Sequence, residues 1–240
     1  VNMALLFMDG FDHYQESSTS RVKWDSPIGT SGGLMIAGRF GGQAMVPKAA
    51  TNALHTTWPG ISKRLTSDYS TMIVGFAVRF KSVIPDNFTH PFFALVDASG
   101  KHQLQFWIDG GSGELKLGVA HPDLPIGPYN INWASYQPDW YNSTGYVPPI
   151  GLWIYFEVKA TATSTATGTV QIHVDSSPIL EYTNVKTMNT GVSGFRGIRF
   201  MGTNYLTGSG SSFDHVAVDD LYIADTTGTF NNDFLGEVRV

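Results

Sequence analysis

The chain has 240 residues, of which 15 are Lys or Arg and 20 are Asp or Glu, so its formal net charge is −5 at pH 7. Such an acidic, cation-poor chain lacks the basic surface that nucleic-acid binding requires. It contains no cysteine, which excludes disulfides and thiolate zinc sites, and it has no apolar run long enough to span a membrane. We therefore expect neither nucleic-acid binding nor membrane insertion.

Short apolar segments separated by turn residues run along the chain, and none keeps a helical period. A strand is predicted over residues 5–14, and the glycine-rich segment 38–44 bends the chain between two more strands. The clearest strand covers residues 71–80, in which every even-numbered residue is large and apolar and therefore faces the core. These core-facing residues are Met72, Val74, Phe76, Val78 and Phe80.

A hairpin signal lies just before the middle of the chain, where strands at 103–108 and 114–119 flank a turn containing three glycines. After the hairpin, strands are predicted at 152–160, 170–174, 179–183, 197–201 and 216–225, with a glycine loop at 202–212. A weaker strand is predicted earlier in the chain, at 53–58. The fold class is therefore all-β. We expect one domain over residues 1–240, either a sandwich or a jelly roll, with a C-terminal tail at 226–240.

Two adjacent carboxylates, Asp219 and Asp220, lie inside the closing strand. The two-residue period places Asp219 on the core face with Leu221, and Asp220 on the other face. A buried carboxylate must be hydrogen-bonded, paired or bound to a metal. One hypothesis is that Asp9, Asp12 and Asp219 hold a structural Ca²⁺. The alternative is that backbone N–H groups, or a Tyr, Ser or Arg side chain, donate to Asp219.

Catalytic motifs are missing from the sequence. Glycoside hydrolysis needs two carboxyl groups on one face, about 5–5.5 Å apart in retaining enzymes, but strand parity separates Asp219 from Asp220. The seven histidines show no spacing typical of a metal site. The chain is therefore predicted not to be an enzyme and to require no cofactor.

The long segment 121–149 interrupts the strand pattern and is rich in aromatic residues. A loop of this length in a compact domain is usually functional or an interface. Its rings could anchor a protein interface, cap one end of the sandwich, or stack on sugar rings. The candidate interface or glycan-binding residues are Trp133, Tyr136, Trp140, Tyr141 and Tyr146.

Four motifs together resemble a known family. They are the segment 7–14 (Phe-Met-Asp-Gly-Phe-Asp-His-Tyr), the segment 38–44 (Gly-Arg-Phe-Gly-Gly-Gln-Ala), the segment 219–222 (Asp-Asp-Leu-Tyr) and the end of the chain at 232–240. In this order they resemble concanavalin A-like (laminin-G-like) jelly-roll proteins of tailed-bacteriophage virions. The resemblance implies a two-sheet antiparallel jelly-roll sandwich whose first and last strands pair. It also implies that Asp9 or Asp12 meets Asp219 at a structural metal.

The resemblance further implies a non-enzymatic virion structural protein, namely a capsid decoration or exterior appendage module. Its partners would be other copies of itself, as a homo-oligomer, and phage capsid or tail proteins. It would be assembled in the host cytoplasm and located on the particle exterior. The alternative is a glycan-binding receptor or adhesion module that binds a cell-surface polysaccharide, and a polysaccharide-degrading enzyme is a third hypothesis.

Overall fold

The structure, a computed structural model, describes residues 5–12, 14, 23–25, 33–47, 60–81, 89–109, 111–119, 141–201 and 216–240. Within these ranges the regular elements are strands: β1 (Leu5–Asp9), β2 (Gly33–Ala37), β3 (Gln43–Pro47), β4 (Gly60–Tyr69), β5 (Thr71–Phe80), β6 (Thr89–Val96), β7 (His102–Asp109), β8 (Leu115–Val119), β9 (Tyr141–Ser143), β10 (Trp153–Thr161), β11 (Gly168–Val174), β12 (Ser177–Val185), β13 (Phe195–Met201) and β14 (Val216–Ala224). No helix in the described part of the chain is long and apolar enough to cross a membrane.

The strands form two antiparallel sheets. The eight-stranded sheet has the order β12-β11-β10-β5-β14-β3-β2, and β1 pairs with β14 off this path. The six-stranded sheet has the order β4-β13-β6-β7-β8-β9. The all-β sandwich and the pairing of the first strand with the last are therefore confirmed. The predicted strand at 53–58 and the glycine loop at 202–212 lie outside the described residues.

The core lies between the sheets and is centred on phenylalanine rings. Phe76 of β5 is fully buried, and its ring centroid lies 4.9 Å from that of Phe93 and 4.9 Å from that of Phe200, both on the opposite sheet. The ring of Phe156 lies 5.3 Å from that of Phe76. Such tilted and edge-on pairs stabilise beyond the area they bury. All even-numbered residues of β5 belong to this core, as the sequence predicts.

The β7–β8 hairpin is also confirmed. Leu104 and Phe106 of β7 and Leu115 and Leu117 of β8 face the core, and the two strands pair in register from Leu104 to Ile108. The long segment predicted at 121–149 contains one further element, since β9 pairs with β8. The sheet therefore extends into a segment whose sequence shows no strand pattern.

A β-bulge in β14 contradicts the predicted orientation of Asp219. The register with β5 shifts between Asp219 and Tyr222, and Asp220 has a left-handed φ of 46°. The bulge places two residues, not one, between the core-facing residues Val218 and Leu221. Asp219, which pairs with Ala77, is therefore on the outer side of the sheet, and strand parity alone gave the wrong face.

The tail at 226–240 covers the outer face of the eight-stranded sheet. Beneath it lies a second apolar cluster, which includes the buried rings of Tyr155 and Tyr222 and is packed against Leu235. The Gly236 N–H donates to the buried carboxylate of Glu157 at 2.9 Å. This outer face is consequently closed by the chain itself. On the outer face of the six-stranded sheet Ala94 and Gln105 are buried as well, and Arg199 is partly exposed.

Candidate functional site

A row of residues crosses the outer face of the six-stranded sheet. Ile198 and Phe200 face the core, as do the residues flanking Gln105 and Gly118, so the residues between them point outward. Strand register aligns these outward positions side by side. We call these aligned backbone positions the outer row; across β13, β6, β7, β8 and β9 they are Arg199, Ala94, Gln105, Gly118 and Tyr141. Ala94, Gln105 and Gly118 are buried.

Hydrogen-bond donors gather at the β13 and β7 positions of the outer row. The side-chain amide nitrogen of Gln105 lies 2.7 Å from Nδ1 of His102. Because an amide nitrogen only donates, Nδ1 accepts and the imidazole carries its proton on Nε2. No hydrogen-bond acceptor for that Nε2 is found among the described residues. That Nε2 atom is itself buried.

Burial lowers the pKa values of both His102 and Arg199. Burial, together with the nearby positive charge of Arg199, lowers the pKa of His102 to about 3, so the imidazole is neutral at ordinary pH. Burial also lowers the pKa of Arg199, but a guanidinium remains protonated in proteins. The charge of Arg199 therefore acts on a neutral imidazole ring, and the guanidinium is the charged donor of this group.

The neighbouring part of the face is acidic. Lys116 of β8 forms an ion pair with Asp109 of β7. Glu114, next to this pair in sequence, accepts a hydrogen bond from the hydroxyl of Ser143 at 2.6 Å. Burial would raise the pKa of Asp109, but the Lys116 ammonium and two backbone N–H groups together hold it below its ordinary value. Two carboxylates and one ammonium leave a net charge of −1 in this region.

Of the predicted aromatic residues, Trp133, Tyr136 and Trp140 lie outside the described residues. The backbone of Tyr141 occupies the end of the outer row, on β9. Tyr146 is half-buried and packs against the main core, and burial raises its pKa. Tyr146 thus has the packing expected of a residue that caps the sandwich.

The calcium hypothesis does not fit the described residues, among which no group of three or more His, Asp or Glu side chains is arranged to hold a metal. Both oxygens of Asp9 accept hydrogen bonds, from Phe11 N–H, Tyr14 O–H and Trp24 Nε1–H. The carboxylate of Asp12 accepts one from the backbone of Gln43.

Asp219 is hydrogen-bonded by backbone N–H groups, which was the alternative to a bound metal. Its carboxylate accepts hydrogen bonds from the backbone N–H groups of Arg39, at 2.8 Å, and Asp220, at 2.9 Å. The motifs of the resemblance do converge here, because Gly38 lies against this carboxylate and Arg39 forms an ion pair with Glu237. They meet as a hydrogen-bonded seam that joins the two ends of the chain, and not as a cluster of metal ligands.

The sequence interpretation missed Arg199, His102 and Gln105. The alternation of Gln105 with Leu104 and Phe106 indicates an outward polar position. However, nothing in the sequence shows that Arg199, 94 residues away, lies two strands from it. That proximity comes from strand order, with β13 beside β6 and β6 beside β7.

Comparison with known proteins identifies the fold class. No protein-family model and no curated protein matches the chain, but solved structures match most of its length. An endo-beta-1,4-glucuronan lyase from the fungus Trichoderma reesei has a TM-score of 0.56 at 15% identity, over 85% of this chain and 91% of its own. Alginate lyase Aly36B has a TM-score of 0.54 at 14% identity, over 94% and 98%.

A third solved structure is a domain of a larger enzyme. Domain 4 of AbnA, a GH43 extracellular arabinanase from Geobacillus stearothermophilus in complex with arabinotriose, has a TM-score of 0.52 at 14% identity, over 93% of each chain. At these identities the likeness shows the fold, a jelly-roll sandwich of the concanavalin A-like type. None of these names links the chain to a bacteriophage.

These findings correct two predictions. Solved structures that share the fold include polysaccharide lyases and a domain holding an arabino-oligosaccharide, so the predictions of a virion structural protein and of a chain that is not an enzyme lose their support. The exclusion of an enzyme rested on missing carboxylate pairs, but a lyase eliminates instead of hydrolysing and does not need such a pair. The predicted virion location and homo-oligomer stay predictions.

Proposed function

We propose that the chain binds an acidic polysaccharide on the outer face of the six-stranded sheet, with a sugar carboxylate held at Arg199. The observation that carries this proposal is that the charge of Arg199 acts on the neutral His102 ring, which in turn is hydrogen-bonded to the Gln105 amide. A guanidinium accommodates both oxygens of a carboxylate. The fold shared with carbohydrate-active proteins supports the same proposal.

Binding of polyglucuronate and polymannuronate, measured by isothermal titration calorimetry, tests the proposal. Arg199→Ala removes the charged hydrogen bonds and is expected to lower the affinity about 30-fold, since such bonds are worth about 2 kcal/mol. The charge-matched control is Lys159→Ala, because Lys159 lies on the covered eight-stranded sheet and pairs with the exposed Asp233. Equal losses in the two variants, or no binding by the unaltered chain, would overturn the proposal.

The second candidate function is cleavage of the same polysaccharide by β-elimination. In that reaction a base removes the proton α to the sugar carboxylate, and the electron pair forms a double bond. The glycosidic bond at the β carbon breaks, and its oxygen takes up a proton. Negative charge accumulates on the carboxylate, so the guanidinium of Arg199 would stabilise the transition state more than the ground state.

The observation that favours cleavage is the place of Tyr141 in the outer row, two strands or about 10 Å from Gln105. Tyrosine carries a phenol that can accept or return a proton. The ultraviolet absorbance of the new double bond reports cleavage. Tyr141→Phe is expected to abolish this signal and retain binding, whereas Tyr69→Phe, on the edge strand β4, retains both. Binding with no absorbance change in the unaltered chain would restrict the function to binding.

A further inference from the structure

Arg79 lies on the outer face of the eight-stranded sheet, at an end that stays partly exposed. Its neighbours Val78 and Phe80 face the core, so Arg79 points outward. It pairs with Trp153 of β10, and its guanidinium carbon lies 4.8 Å from the centroid of the Trp153 ring. A guanidinium that stacks on a ring through its face keeps its in-plane N–H groups for a carboxylate. The ring therefore positions Arg79 while its terminal donors stay available.

The charge of Arg79 has no partner of opposite sign in the part of the chain that the structure describes. No carboxylate forms an ion pair with it there, and its Nε is buried without an acceptor. Asp219 on β14 and Asp175 after β11 instead accept hydrogen bonds from backbone N–H groups. A buried donor without an acceptor is uncommon in proteins, so a ligand is a reasonable source of one.

Arg39 shows how this chain satisfies a similar arginine. Its guanidinium carbon lies 5.7 Å from the ring centroid of Tyr155, which is two residues from Trp153 on the same face. Glu237 of the tail forms an ion pair with Arg39 at 2.9 Å. Leu235, two residues before Glu237, packs on the apolar cluster of this face. Within this chain, such an arginine thus binds a segment that joins a carboxylate to apolar side chains.

Two large apolar side chains are exposed next to Arg79. Ile150, which forms a β-bridge with Phe80, is 47% exposed, and Leu152, which precedes Trp153, is 62% exposed. Exposed apolar side chains beside a tryptophan and an arginine are typical of protein interfaces. A sugar ring would need an open aromatic face, but Arg79 covers a face of Trp153. The set of Arg79, Ile150, Leu152 and Trp153, which we call the Arg79 patch, therefore favours a protein ligand.

We propose that the Arg79 patch binds a segment of a partner protein in which a carboxylate is flanked by apolar side chains. The carboxylate pairs with Arg79, and the apolar side chains contact Ile150 and Leu152. Two copies of the chain joined through the same patch would bring two Arg79 charges together, so the partner presents a different surface. The patch lies on the opposite sheet from Arg199, so its binding can be lost while polysaccharide binding is retained.

A peptide that copies residues 234–238 of the tail, Phe-Leu-Gly-Glu-Val, is the probe. Acetylation and amidation remove its terminal charges, so that it carries one carboxylate. Its dissociation constant for the full chain is measured by nuclear magnetic resonance titration. Arg79→Ala removes a charged hydrogen bond and is expected to weaken binding about tenfold. Leu152→Ser removes apolar contact area and is expected to weaken binding about tenfold as well.

Each variant has a matched control in the chain. The guanidinium carbon of Arg239 lies 4.8 Å from the Phe40 ring centroid, the same distance as Arg79 from its own ring. Phe230 is 62% exposed, as Leu152 is. Arg239→Ala and Phe230→Ser are therefore expected to leave the affinity for the peptide unchanged.

Losses confined to Arg79→Ala and Leu152→Ser support the inference. It is overturned if the unaltered chain does not bind the peptide, or if Arg79→Ala and Arg239→Ala lose the same affinity. Loss of oligoglucuronate binding in Arg79→Ala would make the patch a sugar site and overturn it too. So would self-association of the unaltered chain, measured by sedimentation velocity, that Leu152→Ser abolishes. In each case the proposed function is judged separately, by Arg199→Ala.

Discussion

The carboxylate of Asp9 is expected to be the polar group on which the closure of the fold depends most. It is fully buried, on the inner side of β1 where Asp9 pairs with Leu221. It accepts hydrogen bonds from Phe11 N–H at 3.0 Å, Trp24 Nε1–H at 2.8 Å and the Tyr14 hydroxyl. Burial and the hydrogen bond to Asp9 raise the pKa of Tyr14, so the phenol keeps the proton that it donates.

Replacing Asp9 by alanine leaves these three buried donors without their acceptor. Each unsatisfied donor costs about 1–3 kcal/mol. The variant no longer buries a carboxylate, which offsets part of this cost. The net loss of unfolding free energy is expected to be about 3–5 kcal/mol, a large fraction of the stability of a typical domain. Asp9→Asn retains one acceptor oxygen and the shape of the side chain, so it is expected to lose about half as much.

Urea denaturation followed by tryptophan fluorescence measures these losses as a fall in midpoint at constant slope. The control is Asp233→Ala, which removes an exposed partner of Lys159 and is expected to cost at most about 1 kcal/mol. A loss below about 1 kcal/mol in Asp9→Ala would refute the reasoning. A chelator is expected to leave the melting temperature unchanged. A lower melting temperature would show that the Asp9 carboxylate binds a metal and is not held by these donors alone.

Three more predictions concern the covered face of the eight-stranded sheet. Gly75→Ala is expected to cost about 1–3 kcal/mol in urea denaturation, because its new Cβ would lie 2.2 Å from the Tyr222 ring; an unchanged midpoint contradicts this. Tyr222→Phe removes the hydroxyl that donates to Glu157 at 2.6 Å and accepts from the Leu235 N–H at 3.2 Å, and a loss of about 2 kcal/mol is expected; a loss under about 0.5 kcal/mol would count against it. Burial raises the pKa of Asp219 from 3.8 to about 6. The folded state therefore binds this proton more tightly, stability falls as pH rises from about 4 to about 6, and Asp219→Asn is expected to flatten that part of the profile. An equally steep profile in the variant would contradict the assignment.

Local sequence was sufficient for the strands whose two faces differ in polarity. The alternation in β5 and in the β7–β8 hairpin determined which residues enter the core, because a side chain two residues along a strand returns to the same face. The motifs at the two chain ends also indicated the pairing of β1 with β14. Each of these features depends on residues near one another in sequence or on a motif read as a unit.

Tertiary structure decided what depends on register and strand order. The bulge at Asp219 and Asp220 reversed the face assigned to Asp219, and the inward carboxylate is Asp9. A bulge inserts one residue and so inverts every parity beyond it, and no composition rule in the strand marks where it occurs.

The candidate site has the same origin. Arg199, Gln105 and Tyr141 are far apart in sequence and lie in one row only because β13, β6, β7, β8 and β9 are neighbours in the sheet. The sequence by itself determined that this is an all-β sandwich with an acidic, cysteine-free composition. The pairing of distant strands brought these positions together, because residues in register on neighbouring strands lie side by side across a sheet.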